Sequence, residues 1–337
     1  MMRIDEMFQE LSHAREEVRP SKYWIELNKK NVEQLEKEGY ENFKRTIVQN
    51  YFTWTAGARD PMIRSQYMYL REKLNAPNLI AVSSYTLLTG LRRGMRWRQD
   101  LNYSLLSRLL WSYVLDIDTT GQAMTLVEPL EGNPIAVNYN GKLISQDLGN
   151  SFLEYQAIMD SGISTNPITT VMELGAGYGR TGYVFLKLNP HIRYIIADIP
   201  PALYVAERYL SGQFPDRSIF KFRPFIKYSD IAEEFERSQI AFLLPHQIEM
   251  LPDKSIDLFI NISSLHEMLP VQVNHYINQV NRLTQGYFYM KQWKKWFNAA
   301  DQVEITEASY PVPDNWVKLF WRECRVQTLF FESLFSI

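Results

Sequence analysis

The stretch Val171-Met-Glu-Leu-Gly-Ala-Gly-Tyr-Gly-Arg-Thr-Gly-Tyr183 decides how this chain is read. A short apolar run ends in an acid, Glu173. Glycines follow at 175, 177 and 179, and Arg180 opens a helical pattern. Glycines at a strand-to-helix turn let the backbone approach a ligand closely and supply positive φ without a steric penalty. Such a turn reads as a nucleotide cradle, and the spacing decides which nucleotide. A dinucleotide fingerprint requires G-x-G-x-x-G. Counted from Gly175, its third glycine falls on Arg180; counted from Gly177, the pattern Gly177-Tyr-Gly179-Arg-Thr-Gly182 does fit. What separates the readings is the acid two residues before the first glycine, which makes the motif E-x-G-x-G-x-G. The plain alternative is a tight βα turn that holds no ligand.

This motif resembles the first motif of class I S-adenosylmethionine-dependent methyltransferases. The resemblance implies S-adenosyl-L-methionine as cofactor, with Glu173 near its methionine part. Gly175, Ala176, Gly177, Tyr178 and Gly179 would then form the turn beneath it. A second mark follows about one βαβ repeat later, where Arg193-Tyr-Ile-Ile-Ala-Asp198 is a short apolar strand ending in an acid. An acid at the tip of the second strand can accept both hydroxyls of a ribose, with Ile199 beside it. Asp198 could instead cap the helix that begins at Pro200-Pro201, because Asp is a favoured N-cap and Pro suits the first turn.

Ile240-Ala-Phe-Leu-Leu244 reads as a further buried strand, followed by Pro245-His246-Gln247. Ligands of doubly wound sheets lie beyond the carboxyl ends of the strands. Gln247, with His246 at its side, is therefore placed to bond the adenine edge. Ser255 to Asn261 forms the next strand, Ile262 to Met268 the turn after it, and residues 286–291 a fifth strand. Asn315-Trp-Val-Lys-Leu-Phe-Trp and Val326-Gln-Thr-Leu-Phe-Phe-Glu read as two strands too close in sequence for a helical crossover, so they must pair antiparallel.

Taken together, Glu173-Leu-Gly-Ala-Gly-Tyr-Gly-Arg, Asp198-Ile-Pro-Pro, Asn261-Ile-Ser-Ser, Glu267-Met268 and Tyr289-Met-Lys-Gln-Trp293 resemble the sugar O-methyltransferases grouped around a deoxysugar methyltransferase of polyether antibiotic biosynthesis. The resemblance covers roughly residues 135 to 337. It implies an α/β fold with a Rossmann-like class I methyltransferase sheet: seven strands, mostly parallel, with the C-terminal strand antiparallel. It also places Asn261 among the cofactor-binding positions and makes a hydroxyl of a sugar or glycosylated metabolite the acceptor.

The composition fits a globular enzyme. The 337 residues are 46% hydrophobic and 22% charged, enough for a full core. A net charge of −2 leaves no basic footprint for nucleic acid. Cys324 is the single cysteine, which excludes an internal disulfide and a cysteine-based zinc site and suits a reducing cytoplasm. No apolar run approaches the ~20 residues of a membrane span, and the first residues lack the apolar core of a signal peptide. The sequence carries no signal for oligomeric state.

Residues 1–145 form a helical region expected to serve partly as a lid over the substrate face, and residues 146–337 the catalytic domain. Amphipathic patterns run over 22–50, 62–75 and 101–115. Gly132-Asn-Pro and the hairpin signal Asn138-Tyr-Asn-Gly141 mark the boundary. A helix is expected from about 150 to 161, capped by Ser151 or Asn150. Glu154 and Tyr155 on it either contact cofactor or acceptor, or are a capping-box acid and a packed tyrosine.

Methyl transfer needs an aligned acceptor and a route for its proton. His266 and Glu267, after the fourth strand, are the candidate bases; histidine has the intrinsic pKa for it, and Glu267 serves equally as base or substrate anchor. Lys291 and Gln292 are candidates for bonding sugar hydroxyls. Trp293 offers an indole face for a sugar ring, against the alternative of packing. The cluster Arg92, Arg93, Arg96 and Arg98 reads as a solvated turn or as a grip on a phosphate. Asp198 and Glu267 are too few carboxylates for a hard cation, so no metal is expected. Rival readings are methylation of a non-sugar small molecule or a protein, a non-catalytic cofactor-binding scaffold, and a nicotinamide oxidoreductase.

Overall fold

The computed structural model describes residues 2–45, 60–92, 98–135, 137–163 and 168–337. The arginine cluster around residues 93–97 and the expected helical stretch beyond residue 45 lie outside them.

The helices of the N-terminal region begin and end where local chemistry directs. Helix α1 is Met2–Ser12. Helix α2 (Lys22–Glu38) starts behind Ser21, whose side chain accepts from the Trp24 N–H, and stops at Gly39 with φ +78°. Helix α3 (Pro61–Lys73) has Asp60 as cap and proline in its first turn. Helices α4 (Ala76–Arg92) and α5 (Arg98–Ile117) follow. The hairpin signal folds as read: β1 (Val137–Tyr139) pairs antiparallel with β2 (Lys142–Ile144). Asn140 and Gly141 both take positive φ, as a tight two-residue turn requires.

Helix α6 corrects one expectation. It spans Gln146–Met159, with Ser145 as its cap accepting from the Leu148 N–H at 3.0 Å. Asn150, Ser151 and Glu154 therefore lie inside the helix and cap nothing. The sequence offered several cap-type residues in a row, and the earliest one won.

From there the chain alternates. Strand β3 (Thr170–Leu174) leads to α7 (Arg180–Leu188), and β4 (Arg193–Ala197) leads to α8 (Pro200–Gln213). The short β5 (Ile219–Phe220), α9 (Ala232–Arg237) and β6 (Ile240–Leu243) come next. Then β7 (Ile256–Ile262), α10 (Pro270–Leu283) and β8 (Thr284–Trp293) follow. A small hairpin of β9 (Lys295–Asn298) and β10 (Val303–Thr306) precedes β11 (Val317–Glu323) and β12 (Phe330–Ser336).

The main sheet runs in the order β11-β12-β8-β7-β3-β4-β6-β5. All pairings from β5 to β8 are parallel, while β12 is antiparallel to both β8 and β11. One strand thus opposes the rest, as the sequence spacing required. The count differs from expectation: eight strands, not seven, because the two-residue β5 extends the edge beside β6. The inner strands are buried on both faces, with Val171, Met172, Ile195, Ile196, Phe242 and Phe259 inaccessible or nearly so, the pattern of a parallel sheet covered by helices. The same apolar cluster continues into the N-terminal helices through residues such as Ile4, Met7 and Phe43. Among the described residues no helix is long and apolar enough to cross a membrane.

Strand order reverses at β3, with β4 on one side and β7 on the other. That is the switch point beyond whose carboxyl edge a crevice opens.

Candidate active site

Four chain segments meet at that edge: the glycine turn after β3, the tip of β4, the turn after β7 and the end of β8. Together with α6 and residues 18–24 they enclose one cavity. Gly175, Gly177 and Gly179 have φ of +76°, +60° and +85°. A Cβ on Gly175 would stand 2.3 Å from the Ser264 Oγ, so the turn after β7 leaves room for glycine alone. The Asp198 carboxylate ties the turn down, accepting from the N–H of Gly177 and of Ile199, both at 2.7 Å. It does not cap α8, whose N-cap is Ile199 without a side-chain bond. Each carboxylate oxygen accepts one of these bonds and keeps capacity for another.

The cavity holds an unusual set of buried acids. Burial pushes the Glu173 carboxyl up to about 7, against the Tyr194 hydroxyl that donates to it at 2.7 Å. Burial likewise pushes Asp198 up to about 7, against its two backbone donors. Asp147, which accepts from the Tyr178 hydroxyl at 3.1 Å, also reaches about 7 by burial, with Arg180 opposing. Glu267 goes well above the carboxylate range through burial and the neighbouring Asp198. Glu154 behaves in the opposite way. Burial would raise it too, but Arg180 (2.7 and 3.0 Å) and Lys291 (2.8 Å) outweigh burial and hold it below its ordinary value. Lys291 also donates to the Gln327 Oε1 at 2.5 Å.

Behind Glu267 lies His266, wholly buried and edge-on to Trp296. Its Nδ1 is 2.9 Å from the Gln292 Oε1, and its Nε2 is 3.7 Å from the Glu267 Oε1. Burial drives the imidazole down to about 4, against the hydrogen bond to Gln292, so it is neutral near pH 7. Gln292 in turn donates to the Asn261 Oδ1 at 2.5 Å, and Asn261 donates to the Leu174 carbonyl at 2.9 Å.

Of the residues singled out from sequence, Glu154, Glu173, Gly175, Ala176, Gly177, Asp198, Ile199, Glu267 and Lys291 line the cavity. Gly179 is the N-cap of α7, and Tyr178 packs against Phe43 and Tyr209. His266, Gln292 and Asn261 stand one layer back. Tyr155 is turned away, packed on Phe185 and accepting from Asn189. Gln247 is spent on the backbone: its Oε1 accepts from the Leu244 N–H and its Nε2 donates to the Arg223 carbonyl. His246 faces Glu10 at 3.4 Å. Trp293 packs on Phe330, and Phe330 is the ring that reaches the cavity.

Sequence reasoning missed several lining residues. Arg180 opens α7, and Asn150, a cap candidate from sequence, lies inside α6 instead. The Asn150 Oδ1 is buried without a hydrogen-bond partner, a free acceptor on the cavity wall. Arg19, Ser21 and Trp24 come from the N-terminal strap, held by the Arg19 carbonyl accepting from Gln272 and by Ser21 donating to the Glu267 carbonyl. Nothing local in the sequence announces that strap. Among the described residues no group of three or more His, Cys, Asp or Glu side chains is placed to hold a metal.

No family model matches the chain, and no curated protein matches it. Solved structures do. A SAM-dependent methyltransferase from Aquifex aeolicus is 13% identical over 55% of this chain and 89% of its own, with a TM-score of 0.35. The 1,6-didemethyltoxoflavin-N1-methyltransferase of Burkholderia thailandensis is 15% identical over 57% and 78%, at 0.34. A mitomycin 7-O-methyltransferase is 12% identical over 56% and 54%, at 0.36. These are distant likenesses. The strand order itself gives the fold: a mostly parallel α/β sheet of the methyltransferase-like kind, with an antiparallel C-terminal hairpin and an N-terminal helical region.

Proposed function

We propose that this protein is an S-adenosyl-L-methionine-dependent O-methyltransferase acting on a hydroxyl of a small molecule, a sugar or glycosylated metabolite. The observation that carries the reading is the meeting, in one cavity, of the glycine turn tied to Asp198 and the neighbouring carboxyl of Glu267. The residues suit this cofactor. Asp198 has acceptor capacity left for ribose hydroxyls, and Glu173 and Asn150 offer acceptors to an ammonium group. The group to be held carries a sulfonium and an ammonium, and Asp198 and Glu173, whose hydrogen-bond partners are backbone amides and a tyrosine hydroxyl, complement both.

When bound, the cofactor supplies an electrophilic methyl group, and the protein must then orient an acceptor and remove its proton. Glu267 is the cavity-lining group for that proton. Trp24 and Phe330 present ring faces and Gln327 and Lys291 polar groups, a combination suited to a sugar ring. Residues 146–337 then act as the catalytic unit, with residues 1–145 contributing the strap as a lid. Two features support an active enzyme over a scaffold: the glycine turn keeps its positive φ values, and its acids remain on the cavity.

Calorimetry tests the cofactor. Wild type is expected to bind S-adenosylhomocysteine in the micromolar range and Gly177→Val to lose binding, because valine cannot hold φ +60° without strain. Binding of NADH instead would defeat the reading. A panel of sugars and glycosides with a methyl-labelled cofactor then tests the acceptor. Transfer confined to peptide side chains would remove the sugar and leave the methyltransferase.

A further inference from the structure

The hydrogen-bond chain behind Glu267 has a fixed polarity, and the backbone sets it. The Leu174 carbonyl can only accept, so the Asn261 atom facing it at 2.9 Å is the NH2 group. The Leu265 N–H, which can only donate, points at the other side of the same amide at 3.3 Å and makes that atom Oδ1. Asn261 Oδ1 must therefore receive the Gln292 amide nitrogen, which leaves Gln292 Oε1 facing His266. A second backbone group agrees, since the His266 N–H donates to that Oε1 at 3.3 Å. An acceptor at 2.9 Å from Nδ1 requires a proton on Nδ1. The neutral ring then has none on Nε2. That Nε2 is buried, has no hydrogen-bond partner, and stands 3.7 Å from the Glu267 Oε1.

We infer that Leu174, Asn261 and Gln292 lock His266 in its Nδ1–H tautomer, so that its bare Nε2 faces Glu267 and the two side chains hold a single shared proton between them. Two lone pairs cannot face each other in a buried site without cost, so Glu267 turns its carboxylic proton toward Nε2, closing the 3.7 Å gap to hydrogen-bond length, and keeps its other oxygen as an acceptor for the cavity. This rests on the reading of the cavity as a methyl-transfer site. There the acceptor hydroxyl gives its proton to the free oxygen of Glu267, while the proton already on Glu267 moves to Nε2. The hydroxyl oxygen forms the bond to the methyl carbon with its own electron pair, and the carbon–sulfur pair leaves with the sulfur. The dyad ends with one proton more than it began with, as neutral Glu267 and an imidazolium. Glu267 is the catalytic residue, and His266, Gln292 and Asn261 are positioning residues. The other groups near Glu267 are Asp198, Tyr23 and Tyr310, and the rings of Trp293 and Trp296 border His266.

The test is two-bond 1H–15N correlation spectroscopy of the imidazoles in the full-length protein. The signals of His266 are identified by their loss in His266→Asn, and S-adenosylhomocysteine binding is measured alongside by calorimetry. Wild-type His266 is expected to show a protonated Nδ1 and an unprotonated, hydrogen-bonded Nε2 throughout pH 6–8. In Glu267→Ala the Nε2 signal should move to that of a free ring nitrogen, and in Gln292→Leu the Nε2–H form should appear. A wild-type spectrum with Nε2–H overturns the inference whether or not the variants fold. If S-adenosylhomocysteine binds while the tautomer is wrong, the relay alone fails. If the tautomer is right and S-adenosylhomocysteine does not bind, the methyl-transfer reading fails and takes the proton route with it.

Discussion

On one wall of the cavity Glu154 meets Arg180 and Lys291; on the other, Glu173, Asp198 and Glu267 meet backbone amides, a tyrosine hydroxyl, a histidine and one another. The side chains are of one kind and all are buried. Glu154 is held ionised, while Glu173 and Asp198 are pushed to about 7 and Glu267 beyond. Burial therefore does not decide the charge; direct bonding to a cation does, since Arg180 and Lys291 bond Glu154 while Arg180 acts on Glu173 only from a distance. The first wall carries two cations for its one carboxylate and needs no ligand to hold that charge. Among the described residues the second has no lysine or arginine bonded to its acids, and a cationic ligand would supply that charge.

The largest effect should come from breaking the ion-paired wall. Glu154→Ala leaves two buried cations without their carboxylate and should cost about 3–5 kcal/mol of stability in urea unfolding, since a buried pair stripped of one partner strands the other charge. A loss below about 1 kcal/mol would mean that Arg180 and Lys291 find other partners, and the contrast between the walls would collapse.

Next comes the wall whose acids have no bonded lysine or arginine. Asp198→Ala should weaken S-adenosylhomocysteine binding by about 1–3 kcal/mol in calorimetry, the cost of removing a charged hydrogen-bond partner. Unchanged affinity with reduced stability would make Asp198 only a strut for the glycine turn.

The contrast sharpens with pH. Because Glu173 and Asp198 lie near 7, below that pH they are protonated and offer no charge to a cation. Affinity for S-adenosylmethionine should therefore rise from pH 6 to pH 8, at most about tenfold per pH unit for each proton displaced. The product, lacking the sulfonium, should show a smaller rise. Equal or flat profiles would show that these carboxyls do not answer to the ligand's charge.

The smallest effect concerns stability without ligand. The folded-state value of Asp147, about 7, lies above its ordinary 3.8. The stability this contributes is fully present below 3.8 and is lost progressively as pH rises from there to about 7. Asp147→Asn keeps an acceptor for the Tyr178 hydroxyl and removes the ionisation. It should raise the melting temperature at pH 8 by a few degrees, by clearly less at pH 5, and hardly at all below the ordinary 3.8. A gain equal at both pH values would assign the effect to packing.

How much of this was readable in the sequence follows a simple physical line. Glu173, the glycines and Asp198 were legible because a βα turn carries its own conformational signature within a few residues. The opposed strand was legible from the shortness of the 315–332 segment alone. The start of α6 was not, because Ser145, Asn150 and Ser151 are all competent caps and tertiary packing chose among them. Gln247 and Gln292 looked like ligand-facing amides, but a buried amide goes to whichever long-range partner satisfies it, here Arg223 and Asn261. Arg19, Ser21 and Trp24 were invisible as cavity residues, since only the docking of the N-terminal strap brings them there.

Strand β12 lies between β8 and β11, though both are made before it. Until residues 330–336 insert, β8 has an open edge that invites pairing with another chain. Gln327 and Phe330 arrive only with that insertion, and Arg19 to Trp24 belong to the opposite extreme of the chain. The cavity closes on contacts of very large sequence separation, the class that forms slowest. Folding during synthesis can therefore set up the parallel strands early, but a competent site must wait for a late event, and a chain stopped before β12 would carry the glycine turn with no chamber around it.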